Sequence, residues 1–366
     1  MDIQQVLHMN HGMGDNSYAN NSIIQKKVMM EAKPILEESI IRLYRIIWPR
    51  CLKVADLGCS SGPNALQMVS NVIDIVDSIS CNLNLKSPVF QFFLNDLFEN
   101  DFNDIFKSLP QFLETLEKKK GHKSGSCFIN ATPGTFYKRL FPDDSLHLIH
   151  SSFSLHWLSQ APKKLGNKEN VHLTSTSPAA MHRAYAEQFQ KDFKLFLKLR
   201  SQELVPNGGM VLTLLGRDKT RDMRTAWTLI GITLNDMVLE NLIEEIKLES
   251  FNFPLYDPTI EEAKEVIEEE GSFTIQRVES VILDWVAANI NDEGVDNNNN
   301  EFDINMKAEF TTKFVRAALE PLLKAQFGEE VMDEFFFRYK NKIVQLIMEV
   351  EILEFPTHII SLIKNV

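Results

Sequence analysis

Two carboxylates, each closing an apolar run, dominate the chemistry this sequence can offer. Asp56 sits near the end of Leu52-Lys53-Val54-Ala55-Asp56-Leu57 and is followed by Gly58-Cys59-Ser60-Ser61-Gly62-Pro63-Asn64. Asp96 follows Asn95 after a second apolar run, Val89 to Leu94. The spacing Asp56-x-Gly58-x-x-x-Gly62 lacks the G-x-G-x-x-G of dinucleotide sites and the G-K-[ST] of P-loops. No Lys falls within the turn to neutralise a phosphate. A strand-terminal carboxylate instead favours a ligand with positive charge or hydroxyl donors. S-adenosylmethionine (SAM) carries both. Its methionine ammonium can pair with Asp56 and its ribose hydroxyls can donate to Asp96, while Gly58 allows close backbone approach. The alternative is that both acids merely cap the helices that follow them.

For these acids to meet, their strands must lie parallel, with carboxyl ends opening on one crevice. Strand-like runs recur at Cys127 to Asn130, Leu146 to His150, Met210 to Leu215, Phe273 to Leu283 and His358 to Lys364. Helical spacing is read at 26–47 (with Pro34 interrupting the helix or starting a new turn of it), after the glycine turn through Leu66, Val69, Val72, Ile73 and Val76, at Pro110 to Lys119 and at Ser177 to Leu204. This alternation predicts an α/β fold with a mostly parallel sheet covered by helices. The acidic helical stretch 222–270 and the Phe-rich stretch 305–350 fit the alternation poorly and are read as a helical cap. Residues 1–26 read as a polar loop, and 286–303 as a mobile solvated loop.

Composition narrows the function classes. The chain has 366 residues, 44% apolar and 24% charged, as globular proteins do. A formal charge of −12, from 50 acidic and 38 basic residues, argues against a nucleic-acid partner. The run Lys118-Lys119-Lys120 is too short to reverse that and reads as a solvated face. No apolar run is long enough for a bilayer span, and Met1 to Gln5 resemble no signal peptide, so no membrane partner is expected. Cys51, Cys59, Cys81 and Cys127 form no C-x-x-C pair and are expected to be free thiols in a reducing compartment.

A family resemblance runs through the whole chain. It is carried by Val6-Leu7-His8-Met9-Asn10 and Ser17-Tyr18-Ala19-x-Asn21-Ser22, by the glycine turn, and by Phe93-Leu94-Asn95-Asp96-Leu97. It continues in Pro133-Gly134-Thr135-Phe136-Tyr137-x-Arg139-Leu140-Phe141-Pro142, in His150 through Gln160, in Ser250-Phe251-Asn252-x-Pro254 and in Glu320-Pro321-Leu322. These motifs resemble the plant SABATH methyltransferases. The resemblance implies a class I SAM-dependent methyltransferase fold, Rossmann-like with a mostly parallel seven-stranded sheet and an α-helical cap. It implies an N-terminal active-site loop over 1–25 and an α/β core over 26–219 and 271–366, with 305–350 lending helices to the cap. A cap insertion is then expected over 220–270. It further implies a cytosolic homodimer.

The same resemblance implies site residues. Ser22, Asp56, Gly58, Asn64, Asp96, Leu97, Thr135 and Phe136 are expected to hold SAM. Gln25 and Trp157 are expected to be catalytic, gripping the carboxylate of a small-molecule acid through neutral N–H donors. Tyr18, Phe153, His156, Ala226, Trp227, Val315 and Phe355 are expected to wall the acceptor pocket. Some members have Lys where this chain has Asn10. Salicylate-preferring members have Tyr at Phe153 and Met at His156, so strict salicylate preference is not expected. Benzoate, anthranilate, jasmonate or another acid stays open, with xanthine N-methylation of the caffeine synthase type as the alternative. A magnesium position is implied at Asn167, Glu249, Asn252 and the carbonyl of Phe251, although those residues equally read as a solvated acidic turn. A non-catalytic sensor or a dehydrogenase fits the residues less well.

Overall fold

Strand β1 (Cys51–Leu57) buries Leu52 and Val54 on one side and Ala55 and Leu57 on the other, in two separate cores. A strand apolar on both faces must be covered on both, and that requirement organises the molecule. The computed structural model describes residues 6–120, 127–163, 170–174, 176–218, 226–284, 300–349 and 354–366. Before β1 lie α1 (Tyr18–Asn21) and α2 (Ile23–Ile46). After it come α3 (Pro63–Asn82), β2 (Val89–Asp96), α4 (Phe102–Lys120), β3 (Cys127–Pro133), β4 (Leu146–Ser152), α5 (Ala179–Glu203) and β5 (Leu204–Leu215). The chain continues through α6 (Ala226–Leu239), α7 (Glu245–Glu249), α8 (Ile260–Glu270), β6 (Phe273–Asp284), α9 (Asn300–Phe327), α10 (Met332–Glu349) and β7 (Glu354–Lys364).

All seven expected strands form, in one sheet of order β3-β2-β1-β4-β5-β7-β6. The five from β3 to β5 are parallel, and β7 runs antiparallel to both β5 and β6. Strand order reverses between β1 and β4, which is where open α/β sheets bind ligands. Helices α2, α3 and α4 cover one face, and α5 and α8 the other. A third core joins α6, α9 and α10 with Trp157, Phe251 and Phe253, and this is the helical cap.

Four sequence readings change. Helix α2 begins at Ile23, so Gln25 lies in its first turn and not in a loop. Pro34 neither breaks nor restarts α2. An interior proline costs about 3 kcal/mol, but Val28, Ile35, Leu36, Ile40 and Leu43 are buried on either side of it, each worth about 1.5–3 kcal/mol. The last helix of the expected cap insertion belongs to the sheet instead, because Ala263, Val266 and Ile267 of α8 face the core beneath α5. That helix is well delimited by a Thr259/Glu262 capping box and by Gly271 at φ 80°. Finally, the expected loop at 286–303 lies mostly outside the described residues, and α9 already starts at Asn300. No described helix is long and apolar enough to cross a membrane.

Candidate active site

The carboxyl ends of β1, β2, β3 and β4 open on one cleft, the usual place for a ligand in such a sheet. Gly58 and Ser60 reach it from the turn after β1, Asp96 and Leu97 from β2, Thr135 and Phe136 from beyond β3, and Phe153 and Trp157 from beyond β4. Gly58 has φ 78°, and a Cβ there would stand 2.4 Å from Ser154 Cβ. The turn therefore needs glycine for both its dihedral and its space. Gly62 (φ 112°) serves a different neighbour, since a Cβ would lie 3.0 Å from Ala19 Cα in α1. The second glycine thus seats the N-terminal segment against the turn.

Asp96 is fixed by two amides. Its Oδ2 accepts from Ser60 N–H at 2.7 Å and its Oδ1 from Leu97 N–H at 2.8 Å. Burial nevertheless pushes its pKa up to about 6, against the pull of those two donors. Ser60 adopts φ 56°, and Phe153 adopts φ 54°. A left-handed backbone is unusual for a bulky residue, and both outliers line the cleft, as strained residues at functional sites often do.

Three of the residues expected to hold SAM do not line this cleft. Asp56 is buried and shares a 2.7 Å hydrogen bond with His150 Nδ1. Asn64 Nδ2 donates to Ser22 O and Oγ at 3.1 and 3.0 Å, tying the start of α3 to the start of α2. These contacts turn the side chains toward protein partners.

On the acceptor side, Tyr18, Phe153 and Trp157 line the cleft. His156 is buried next to them, its ring centroid 5.6 Å from Phe153 and 5.7 Å from Trp157. Its Nδ1 accepts from Leu215 N–H at 3.4 Å, which leaves Nε2 as the protonated nitrogen of the neutral ring. Burial pushes its pKa down to about 4, so the ring is neutral at physiological pH. Gln25 is buried, with no hydrogen bond to its Oε1, and it does not line the cleft. Ala226, Trp227 and Val315 are buried in the cap core. The side chain of Phe355 lies outside the described residues, and its backbone pairs with Leu283.

The structure adds residues that the sequence reading did not single out. Leu7, His8 and Met9 line the cleft from the N-terminal segment, and Asn100, Tyr137 and Ser159 line it from the core. All but Asn100 fall inside the quoted motifs, but their types alone carry no distinctive chemistry. Asn10 holds the N-terminal segment on α9: its N–H donates to Ala317 O, and its side chain donates to Arg316 O and Glu320.

The residues expected to bind magnesium do not assemble into a described site. Glu249 is exposed, Asn252 donates to Pro162 O, and Asn167 lies outside the described residues. Among the described residues no three His, Cys, Asp or Glu side chains gather where a metal could sit.

The family model for SAM dependent carboxyl methyltransferases matches residues 4–365. The chain belongs to this family. The methyltransferase is 44% identical over 369 residues to an S-adenosyl-L-methionine:benzoic acid/salicylic acid carboxyl methyltransferase of Petunia hybrida, covering 100% of this chain and 99% of that protein. It is also 44% identical, over 354 residues, to a probable caffeine synthase of Coffea canephora, covering 93% of this chain and 92% of the other. Among solved structures, a loganic acid methyltransferase with SAH superposes at TM-score 0.83, with 31% identity over 98% of this chain and 99% of that one. SAM suits the methyltransferase's cleft on physical grounds, because Asp96 offers a rigidly held acceptor for hydroxyls.

Proposed function

We propose that the protein transfers the methyl group of SAM to the carboxylate of a small plant acid, of the benzoate, salicylate or anthranilate type or jasmonate-like. One observation carries this reading. A single cleft brings Gly58, Asp96, Thr135 and Phe136 together with Tyr18, Phe153 and Trp157, and no Lys or Arg lines it among the described residues. When bound, SAM supplies an electrophilic methyl on a sulfonium. Asp96 accepts from its ribose hydroxyls. Trp157 donates its indole N–H to the acceptor carboxylate, and Gln25 donates its amide N–H, which requires its side chain to turn from its present burial toward the cleft.

Neutral donors suit this chemistry. A Lys or Arg would bind the anion more tightly but would stabilise charge that disappears as the ester forms. A carboxylic acid is already ionised at pH 7, so no general base is required. What remains for the protein is to align the reactants and exclude water, worth about 7–11 kcal/mol when geometry is good. Leu7, Met9 and Phe153 provide the apolar cover. The homodimeric state and cytosolic location belong to the same reading, through the family alone.

The competing reading is N-methylation of a xanthine. The Coffea canephora relative and the neutral Nε2–H of His156, suited to a ring nitrogen or carbonyl, favour it. The test is methyl transfer from labelled SAM to benzoate, salicylate, anthranilate, jasmonate, xanthine and 7-methylxanthine, followed by mild base. Base-labile label on an acid is the expected result. Base-stable label on a xanthine would replace the proposal with its competitor.

A further inference from the structure

Helix α5 carries three charged side chains inside the protein. Asp192, Arg200 and Glu203 are 2%, 0% and 0% exposed, and their spacing brings them to one side of the helix. Charges this deep are costly unless paired. Apart from the Arg200–Glu203 ion pair (Nε to Oε2, 2.7 Å), their partners lie largely on two segments that wall the cleft. Arg200 donates to Phe136 O at 2.8 Å and Lys138 O at 2.9 Å. Glu203 Oε1 accepts from Leu140 N–H at 2.7 Å and Phe141 N–H at 3.2 Å. Asp192 accepts from Ser159 N–H at 2.8 Å and Ser159 Oγ at 2.7 Å. One end of α5 therefore grips the segment bearing Thr135 and Phe136, and an earlier turn grips the segment bearing Trp157.

A hydrogen bond joins the two segments directly: Tyr137 Oη donates to Trp157 O at 2.8 Å. The next amide along, Leu158 N–H, donates to Pro254 O at 2.7 Å. The peptide plane between Trp157 and Leu158 is thus held at both ends, and a planar peptide held at both ends cannot rotate. Burial raises the Tyr137 phenol well above its ordinary value, with Asp192 adding to the rise, so the hydroxyl keeps its proton.

We propose that Tyr137 is a positioning residue whose hydroxyl transmits the placement of the cofactor wall to Trp157. The roles of Trp157 and of the Thr135–Phe136 segment as cofactor wall are taken from the proposed function. Without the hydroxyl, the 157–158 peptide keeps its Pro254 contact but loses its second support, and the indole can swing.

The test is Tyr137→Phe, which retains the ring packed edge-on against Phe136. Three readouts apply: SAM affinity by calorimetry, steady-state kinetics with the acceptor, and amide exchange over residues 155–160. The expected result is SAM affinity within about twofold of the parent, a loss in acceptor kcat/KM of about 3–10-fold, the reach of one hydrogen bond, and faster exchange at Leu158 and Ser159. In a Trp157→Phe background the same substitution should cost no further kcat/KM. Equal losses in both backgrounds would overturn the proposal, as would unchanged exchange, or a fall in SAM affinity and Tm that parallels the kinetic loss. If no carboxylic acid is methylated by the parent protein, the proposed function fails, and the exchange result still decides this inference.

Discussion

Asp56 on β1 and His150 on β4 stand opposite each other in the parallel register, and their side chains meet at 2.7 Å inside the sheet. The pair spans the point where strand order reverses. Its geometry makes His150 the group that orients Asp56 behind the cofactor turn. His150→Leu removes that donor from a buried carboxylate, a loss worth about 1–3 kcal/mol. Thermal unfolding should show the drop, while calorimetry should show SAM affinity little changed, because Asp56 does not line the cleft. A large loss of SAM affinity would mean that Asp56 does reach the methionine ammonium.

If Asp96 accepts from SAM hydroxyls as proposed, SAM binding should depend on pH. Its folded pKa of about 6 lies above the ordinary value of 3.8. Through this group the ligand-free fold is favoured at low pH, and that contribution is lost as pH rises through about 6. Hydroxyl recognition runs the other way, because the protonated acid gives up an acceptor site. SAM affinity should therefore weaken as pH falls below about 6, approaching tenfold per pH unit. Asp96→Asn should bind more weakly at pH 7.5 and lose this slope, as calorimetry between pH 5 and 8 would show.

Trp157→Phe keeps bulk and removes an N–H, and Gln25→Ala removes the amide. A hydrogen bond to a charged group is worth about 1.5–3 kcal/mol, so each variant should lose about 10–150-fold in acceptor kcat/KM. SAM affinity should hold in both. A parallel loss of SAM affinity would remove these residues from the acceptor site.

His156 acts on stability through acid pH. Its pKa of about 4 lies below the ordinary 6.5 because burial disfavours the charged ring. The stability associated with the neutral ring is complete above about 6.5 and is lost as pH falls toward 4. His156→Met should therefore lose less Tm than the parent between pH 7 and pH 5. It should also reorder the acceptor panel, since it replaces an N–H beside Phe153 with a thioether.

The Arg200–Glu203 pair should separate stability from binding. Glu203→Leu leaves Arg200 buried and uncompensated, a cost of about 3–5 kcal/mol. Arg200→Met combined with Glu203→Leu should recover much of the Tm. The double variant still lacks the bonds to Phe136, Lys138, Leu140 and Phe141, so its SAM affinity should remain low.

The strands, the glycine turn, the two acids and the family motifs were legible in the sequence because each rests on local chemistry. An apolar run bounded by glycines reads as a buried strand whatever its neighbours, and Gly58 is demanded by a single dihedral and a single close contact. Which acid lines the cleft was not legible. Asp56 and Asp96 look equivalent along the chain, yet the register of β1 against β4 gives one to His150, while the turn after β1 gives Ser60 N–H to the other. The same holds for Tyr137 and Trp157, and for Ser159 and Asp192, whose contacts cross 20 and 33 residues. Such partners are chosen by packing across strands and helices, and no local pattern encodes them.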